Sequence, residues 1–218
     1  MNICAIVGKS RSGKTQLVQK LISELRRRGH SVAAIKYCSK GFELDLEGKD
    51  SQLFAQAGAE AVAICSPDRL AVLQRAPSDL DLTAVARTYF DHFDVVLVER
   101  GRGAPGLKRI EVLEPGSAQQ PESSGEELIG VVADKHVALD KPVFGHNEIG
   151  PIADLLENQE PDAEHGVHLA VDGAPVSLNP FVQGVFHNVV LGMVASLKGI
   201  GEAPRRISLT IEREGGRK

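Results

Sequence analysis

The sequence predicts an α/β fold, a mostly parallel sheet flanked by helices, and three adjoining stretches predict it. Gly8-Lys9-Ser10-Arg11-Ser12-Gly13-Lys14-Thr15 reads G-x-x-x-x-G-K-T, the phosphate-binding P-loop pattern. Before it lies Ile3-Cys4-Ala5-Ile6-Val7, a short apolar run suited to a buried parallel strand. After it, Leu17, Val18, Leu21, Ile22 and Leu25 recur at helical spacing. Strand, glycine loop and helix in that order predict a P-loop NTPase domain; the alternative is a chance match in a glycine-containing turn. The loop's backbone N–H groups and the helix N-terminus converge on one point and favour an anion there. Gly8, Lys9, Ser10, Arg11, Ser12, Gly13, Lys14 and Thr15, with Gln16 next in the first helical turn, form the predicted nucleotide-binding set. In it Lys14 reaches the β- and γ-phosphates and the Thr15 hydroxyl ligates Mg²⁺.

The first helix is expected from Lys14 to Arg28. Arg26, Arg27 and Arg28 suit the negative end of its dipole, and Gly29 closes it. The arginine run reads either as a site for an acidic partner or as a solvated, dipole-matched helix end. Ser31 to Ile35 forms the second strand, ending at Lys36. The loop after it is expected to bring Lys36, Asp45, Lys49 and Asp50 near the phosphates, because loops after parallel strands build the ligand site. A helix from Asp50 to Ala57, stopped by Gly58, precedes strands at Ala61 to Cys65 and Leu70 to Leu73.

Leu80 to Phe90 is amphipathic and leads into Asp94-Val95-Val96-Leu97-Val98-Glu99, a buried strand ending in an acid. Glu99 occupies the position of the second acidic element of P-loop proteins, where a carboxylate holds Mg²⁺ or its water shell. The alternative is an ordinary charge at a strand end. The basic, glycine-rich stretch Arg100 to Gly106 reads as a solvated loop or as a phosphate contact through Arg100 or Arg102.

Ile110 to Leu113 and Leu128 to Ala133 are further strands, separated by a polar loop, Glu114 to Glu127, expected to be mobile. Asp134 follows the later strand. Guanine presents N1–H and N2–H₂ as adjacent donors that one carboxylate accepts together, and adenine lacks that pair, so an aspartate here selects GTP. The full N-K-x-D motif is absent. Val143-Phe144 and a helix from Ile149 to Leu156 complete the first domain, residues 1–156.

Residues 157–166 read as an acidic linker, and residues 167–218 as a small α+β unit. In that unit His168 to Leu178 turns at Asp172-Gly173. Asn179 caps a helix with Pro180 at its first position, and a broad apolar face runs from Phe181 to Leu197. Ile207, Leu209 and Ile211 alternate as a final strand.

Composition bounds the partners. The chain has 218 residues and a net charge of −4, which argues against a general nucleic-acid binder. No apolar run is long enough to span a bilayer, and the N-terminus enters a strand directly, without a signal-peptide pattern. A cytoplasmic protein is expected. The three cysteines form no C-x-x-C pair. Cys4 and Cys65 lie in apolar strand-like runs and are expected to be buried. The seven histidines are scattered, and no structural zinc site is expected.

Several stretches resemble the MobB family, the molybdopterin-guanine dinucleotide biosynthesis protein B. They are Lys36 followed by Phe42 and Asp45, Gly48-Lys49-Asp50-Ser51, Ala57-Gly58-Ala59, Val96-Leu97-Val98-Glu99, and Lys108-Arg109-Ile110-Glu111-Val112. The similarity covers roughly residues 1–156. It implies a dimeric P-loop protein that binds GTP with Mg²⁺, hydrolyses it weakly, and assists the guanylyltransferase joining GMP to molybdopterin, among other molybdenum-cofactor proteins. On this resemblance Gly8 to Thr15 hold phosphates, and Thr15, Asp45 and Glu99 lie at the metal. Two stretches depart from the family pattern. Tyr37, Cys38, Ser39 and Lys40 stand where histidines are frequent, and Arg100 and Gly101 replace a glycine and an aromatic residue. Lys9 resembles the signature lysine of dimerising P-loop GTPases. Two other functions fit the motif. A small-molecule kinase would enlist Asp45 and the Arg100–Arg102 loop. A metal-delivery GTPase would want the His-rich tract or paired cysteines that this chain lacks.

Overall fold

The computed structural model describes residues 1–42, 50–76, 80–100, 106–117, 119–159, 167, 169–171, 174–176, 178–199, 207, 209 and 211. Two compact units divide the chain, Met1–Asp162 and Ala163–Lys218.

The first unit is built on a six-stranded parallel sheet. Its strands are β1 (Asn2–Val7), β2 (Val32–Lys36), β5 (Val95–Glu99), β6 (Arg109–Val112), β7 (Leu128–Val132) and β8 (Val143–Phe144). They lie side by side in the order β2-β5-β1-β6-β7-β8. Strand β1 shows why a continuous apolar run was needed there. Cys4 and Ile6 pack on one face against α1 (Lys14–Arg27) and α4 (Ile149–Glu157). Ile3, Ala5 and Val7 pack on the other face against Leu82 and Ala86 of α3 (Leu82–Phe90). A strand covered on both sides has no polar face to offer.

Local chemistry sets the helix ends. Gly29, at φ +95°, closes α1: its N–H donates to Arg26 O, and the N–H of His30 donates to Leu25 O. That pair of bonds is the Schellman arrangement. Helix α3 starts two residues later than its apolar pattern suggested, because Asp81 caps it by accepting from the Thr83 N–H at 2.8 Å. The arginine run at the end of α1 has a structural use. Arg28 binds Glu24, Asp154 and Glu157, and His30 meets the second Glu157 oxygen at 2.7 Å, so α1 is clamped to α4.

Helix α2 (Asp50–Gln56) leads to an antiparallel hairpin, β3 (Ala61–Cys65) and β4 (Leu70–Gln74), that stands outside the main sheet. This corrects one expectation: Cys4 is buried, but Cys65 is exposed. A two-stranded ribbon has too little behind it to bury both faces of an apolar strand. Ile64, Leu70 and Val72 are exposed there, as are Leu53 and Phe54 of α2.

In the second unit β9 (Leu169–Val171) and β10 (Ala174–Val176) pair antiparallel. Helix α5 (Pro180–Ala195) begins with Asn179 accepting from the Val182 N–H at 2.9 Å. The turn pair at 172–173 and positions 208 and 210 of the expected last strand lie outside the described residues. No helix among the described residues is long and apolar enough to cross a membrane.

Candidate functional site

The C-terminal ends of all six parallel strands open on one edge of the sheet. Connections leave β1 toward β2 and leave β6 toward β7, so the direction of winding changes between these neighbours. A crevice at such a reversal is where open α/β sheets take ligands. The Gly8–Thr15 loop occupies it.

The loop's backbone explains its glycines. Gly8 has φ +146°, and a Cβ there would collide with the Val112 carbonyl oxygen on β6. Gly13, at φ +92°, is the residue before α1, and no side chain caps that helix. The first-turn N–H groups are therefore available to an anion. Arg11 is the one described non-glycine residue with positive φ, at +66°, inside the same turn. Ser12 and Lys14 are buried, whereas Ser10, Arg11, Thr15 and Gln16 are exposed around them. The Lys14 ammonium folds back on the loop, donating to Lys9 O and lying 3.4 Å from Ser12 Oγ. Burial lowers the Lys14 pKa, opposed by Glu99 and assisted by Lys36. A loop closed around an ammonium, with free N–H groups beside it, fits a polyphosphate.

The predicted metal set is partly assembled. Thr15 Oγ1 donates to Glu99 Oε1 at 2.8 Å, and Lys36 Nζ lies 3.8 Å from the same oxygen. Asp45 lies outside the described residues, as do Lys49 and Arg102. Among the described residues no three His, Cys, Asp or Glu side chains cluster as metal ligands. Arg100 is stacked over Tyr37, 4.6 Å from guanidinium carbon to ring centroid, which joins the two stretches that depart from the family pattern.

Lys9 points away from the loop's interior, to Gln119 Oε1 at 2.8 Å and Glu122 Oε1 at 3.1 Å. The polar segment between β6 and β7, expected to be mobile, is anchored. The buried Glu111 carboxylate on β6 accepts from the N–H groups of Glu122 at 2.9 Å and Ser123 at 2.7 Å. Arg109 holds its far end through Glu127 at 2.9 Å.

Asp134 stands just past β7, on the same edge. Its Oδ1 meets His146 Nδ1 at 2.7 Å and its Oδ2 accepts from the Gly116 N–H at 3.2 Å. The His146 hydrogen bond holds the carboxyl below its ordinary pKa, so it is a charged acceptor. Sequence reasoning missed His146 by treating the histidines as scattered. Its place just after β8, in Val143-Phe144-Gly145-His146, was the available signal.

A family model described as MobB, Molybdopterin guanine dinucleotide synthesis protein B, matches residues 3–134. The chain is similar to the molybdopterin-guanine dinucleotide biosynthesis adapter protein of Haemophilus influenzae, with 33% identity over 158 residues. Those residues span 72% of this chain and 88% of that protein. The adapter protein of the same description from Escherichia coli is 30% identical over 159 residues, spanning 71% of this chain and 90% of that one. A crystal structure of molybdopterin-guanine biosynthesis protein B shares the fold at a TM-score of 0.53 and 27% identity. It covers 71% of this chain, and this chain covers 97% of it.

Proposed function

This chain belongs to the molybdopterin guanine dinucleotide synthesis protein B (MobB) family, and on that premise we propose that it is a cytoplasmic adapter that binds GTP with Mg²⁺. In this reading it assists the guanylyltransferase that attaches the nucleotide to molybdopterin, and any hydrolysis of GTP by the adapter itself is slow. The observation that carries the reading is the closed P-loop: Gly8 pressed on Val112 O, an uncapped α1 N-terminus, and Lys14 at its centre.

Each residue then has a defined task. The loop N–H groups and Lys14 neutralise phosphate oxygens. Thr15 and Glu99, already in contact, hold the metal side, joined by Asp45. Bound Mg²⁺ would supply neutralisation of phosphate charge. Asp134 accepts from the guanine edge.

The homodimer belongs to the same proposal. The β3–β4 ribbon offers exposed Leu70 and Val72 on the same face as exposed Ala63 and Cys65, an apolar surface on a two-stranded sheet that a second copy would cover. Sedimentation of Val72→Glu as a monomer beside a dimeric parent is the expected result.

Calorimetry with GTP·Mg²⁺ tests the core of the proposal. The parent chain binds, and Lys14→Ala loses tight binding while its thermal unfolding is preserved. Equal affinity in parent and variant would remove the P-loop assignment. Fast GTP consumption that requires an added small-molecule acceptor would favour a kinase.

A further inference from the structure

His146 has the geometry of a built connection between two parts of the site. Its Nδ1 meets Asp134 Oδ1 at 2.7 Å, and its Nε2 meets the Leu113 carbonyl oxygen at 3.0 Å. The ring is mostly enclosed, with 18% of the side chain exposed. Its Cδ2 lies 3.8 Å from the point where a Cβ on Gly13 would stand, so the ring edge rests beside the P-loop. One imidazole therefore touches the ends of β6 and β7 and the start of α1.

The turn that carries it is braced as well. The Gly145 N–H donates to Glu148 Oε2 at 2.6 Å, and the Glu148 N–H returns to Gly145 O at 3.0 Å. Lys20 Nζ on α1 donates to Asn147 Oδ1 at 3.0 Å. The β8–α4 turn is thus tied to the nucleotide-binding helix on one side of His146 and closed on itself on the other.

The consequence falls on Asp134. Its side chain is 44% exposed at a strand end, where a lone aspartate would sample several rotamers. A carboxylate reading two adjacent N–H groups must present both oxygens in one plane. His146 takes one acceptor position on Oδ1, and the Gly116 N–H takes one on Oδ2. An ionised carboxylate has about four such positions. One on each oxygen remains for a ligand, and the group's orientation is set.

We propose that His146 is a positioning residue for base selection, fixing the Asp134 carboxylate in one orientation beside the P-loop. The proposal rests on the reading of Asp134 as the guanine-selecting group.

The test is calorimetry on the full chain with the Mg²⁺ complexes of GTP, inosine triphosphate and ATP. The parent, Asp134→Asn, His146→Ala and His146→Gln are compared. The GTP-to-ATP affinity ratio is the readout, because a merely structural histidine would weaken all three nucleotides together. His146→Ala is expected to cut the ratio by about tenfold or more while leaving ATP affinity nearly unchanged. His146→Gln, which keeps an N–H toward Asp134, is expected to restore part of it. In Asp134→Asn the ratio collapses, and adding His146→Ala lowers it no further. A parent that binds GTP and ATP equally would overturn the reading of Asp134 and this proposal with it. A selective parent and an unselective Asp134→Asn, beside a His146→Ala that keeps the full ratio or weakens all three nucleotides equally, would overturn only the role of His146. Should His146→Ala fail to fold, the His146→Gln ratio decides: equality with the parent's ratio alongside weaker overall binding counts against the proposal.

Discussion

Thr15 Oγ1 and Glu99 Oε1 lie 2.8 Å apart, joining the first turn of α1 to the end of β5. The two residues are far apart in sequence and meet because β5 lies directly beside β1 in the sheet. The contact orients the two groups relative to each other, and Lys36 at 3.8 Å adds a cation to the same carboxylate.

Glu99→Gln keeps the shape and the hydrogen-bonding capacity toward Thr15 and removes the charge. Mg²⁺-dependent GTP binding is expected to weaken by roughly ten- to a hundredfold, the range for losing a charged hydrogen-bonding partner. Slow single-turnover consumption of bound GTP is expected to change little. A kinase would lose catalysis by about a hundredfold or more when an essential acid is removed. Single-turnover measurements at saturating nucleotide, with and without small-molecule extract, separate the two.

Gly8→Ala places a methyl group against the Val112 carbonyl oxygen and forces a φ of +146° on an L-residue. Strain of this kind costs about 1–3 kcal/mol. A lower urea midpoint with an unchanged slope, together with lost nucleotide binding, is the expected outcome.

Acid should release the clamp between α1 and α4. Hydrogen bonds from Arg27 and Arg28 hold the Glu24 pKa down at about 2, against an ordinary 4.5. At Glu157, burial pushes the pKa up, but His30 and Arg28 together outweigh it and the net direction is down. A depressed carboxylate stabilises the fold fully above its unfolded pKa and loses that contribution as pH falls through the folded one. At Glu24, which holds Arg28 from within α1, the loss therefore runs from about 4.5 down to about 2, and at Glu157, across the clamp, it runs downward from 4.5. Arg28→Leu is expected to have a lower urea midpoint than the parent at pH 6, with the gap narrowing across that acid window. A gap independent of pH would show that Arg28 acts through packing alone.

The P-loop and its flanking elements were legible because three independent demands coincide there. The glycine positions answer to backbone geometry, the strand to burial on both faces, and the helix to one apolar stripe. The pairing of Asp134 with His146 was not legible. It depends on β7 and β8 being neighbours at the sheet edge, a relationship that the order β2-β5-β1-β6-β7-β8 creates and local pattern does not encode. Cys65 misled for a related reason. Ala61–Cys65 is as apolar as a core strand, but its partner β4 forms a separate ribbon that leaves it exposed. The start of α3 was missed by two residues because apolar spacing outran the Asp81 cap.

The segment between β6 and β7 carries the last prediction. Its polar composition suggested mobility, yet Glu111 holds it by accepting two backbone N–H groups while buried at 5% exposure. Nearby, Lys9 of the P-loop reaches Gln119 and Glu122 of the same segment. Glu111→Ala removes the acceptor and leaves the Glu122 and Ser123 N–H groups to find water or remain unpaired. An unmet buried donor costs about 1–3 kcal/mol, but the segment lies at the surface and can open to solvent. Opening therefore limits the loss of global stability and concentrates the effect in the segment. Hydrogen exchange at residues 119–124 should accelerate, and a protease should cut there first, while amides of β1 and β5 keep their protection. Glu111→Gln retains one acceptor oxygen and should fall between parent and alanine variant. Saturating GTP·Mg²⁺ provides the link to function. If Lys9 is drawn toward phosphate, the parent's exchange in this segment rises on binding, whereas Glu111→Ala, already open, responds less. Uniform acceleration across the sheet in Glu111→Ala would instead make Glu111 a general core residue with no particular hold on the segment.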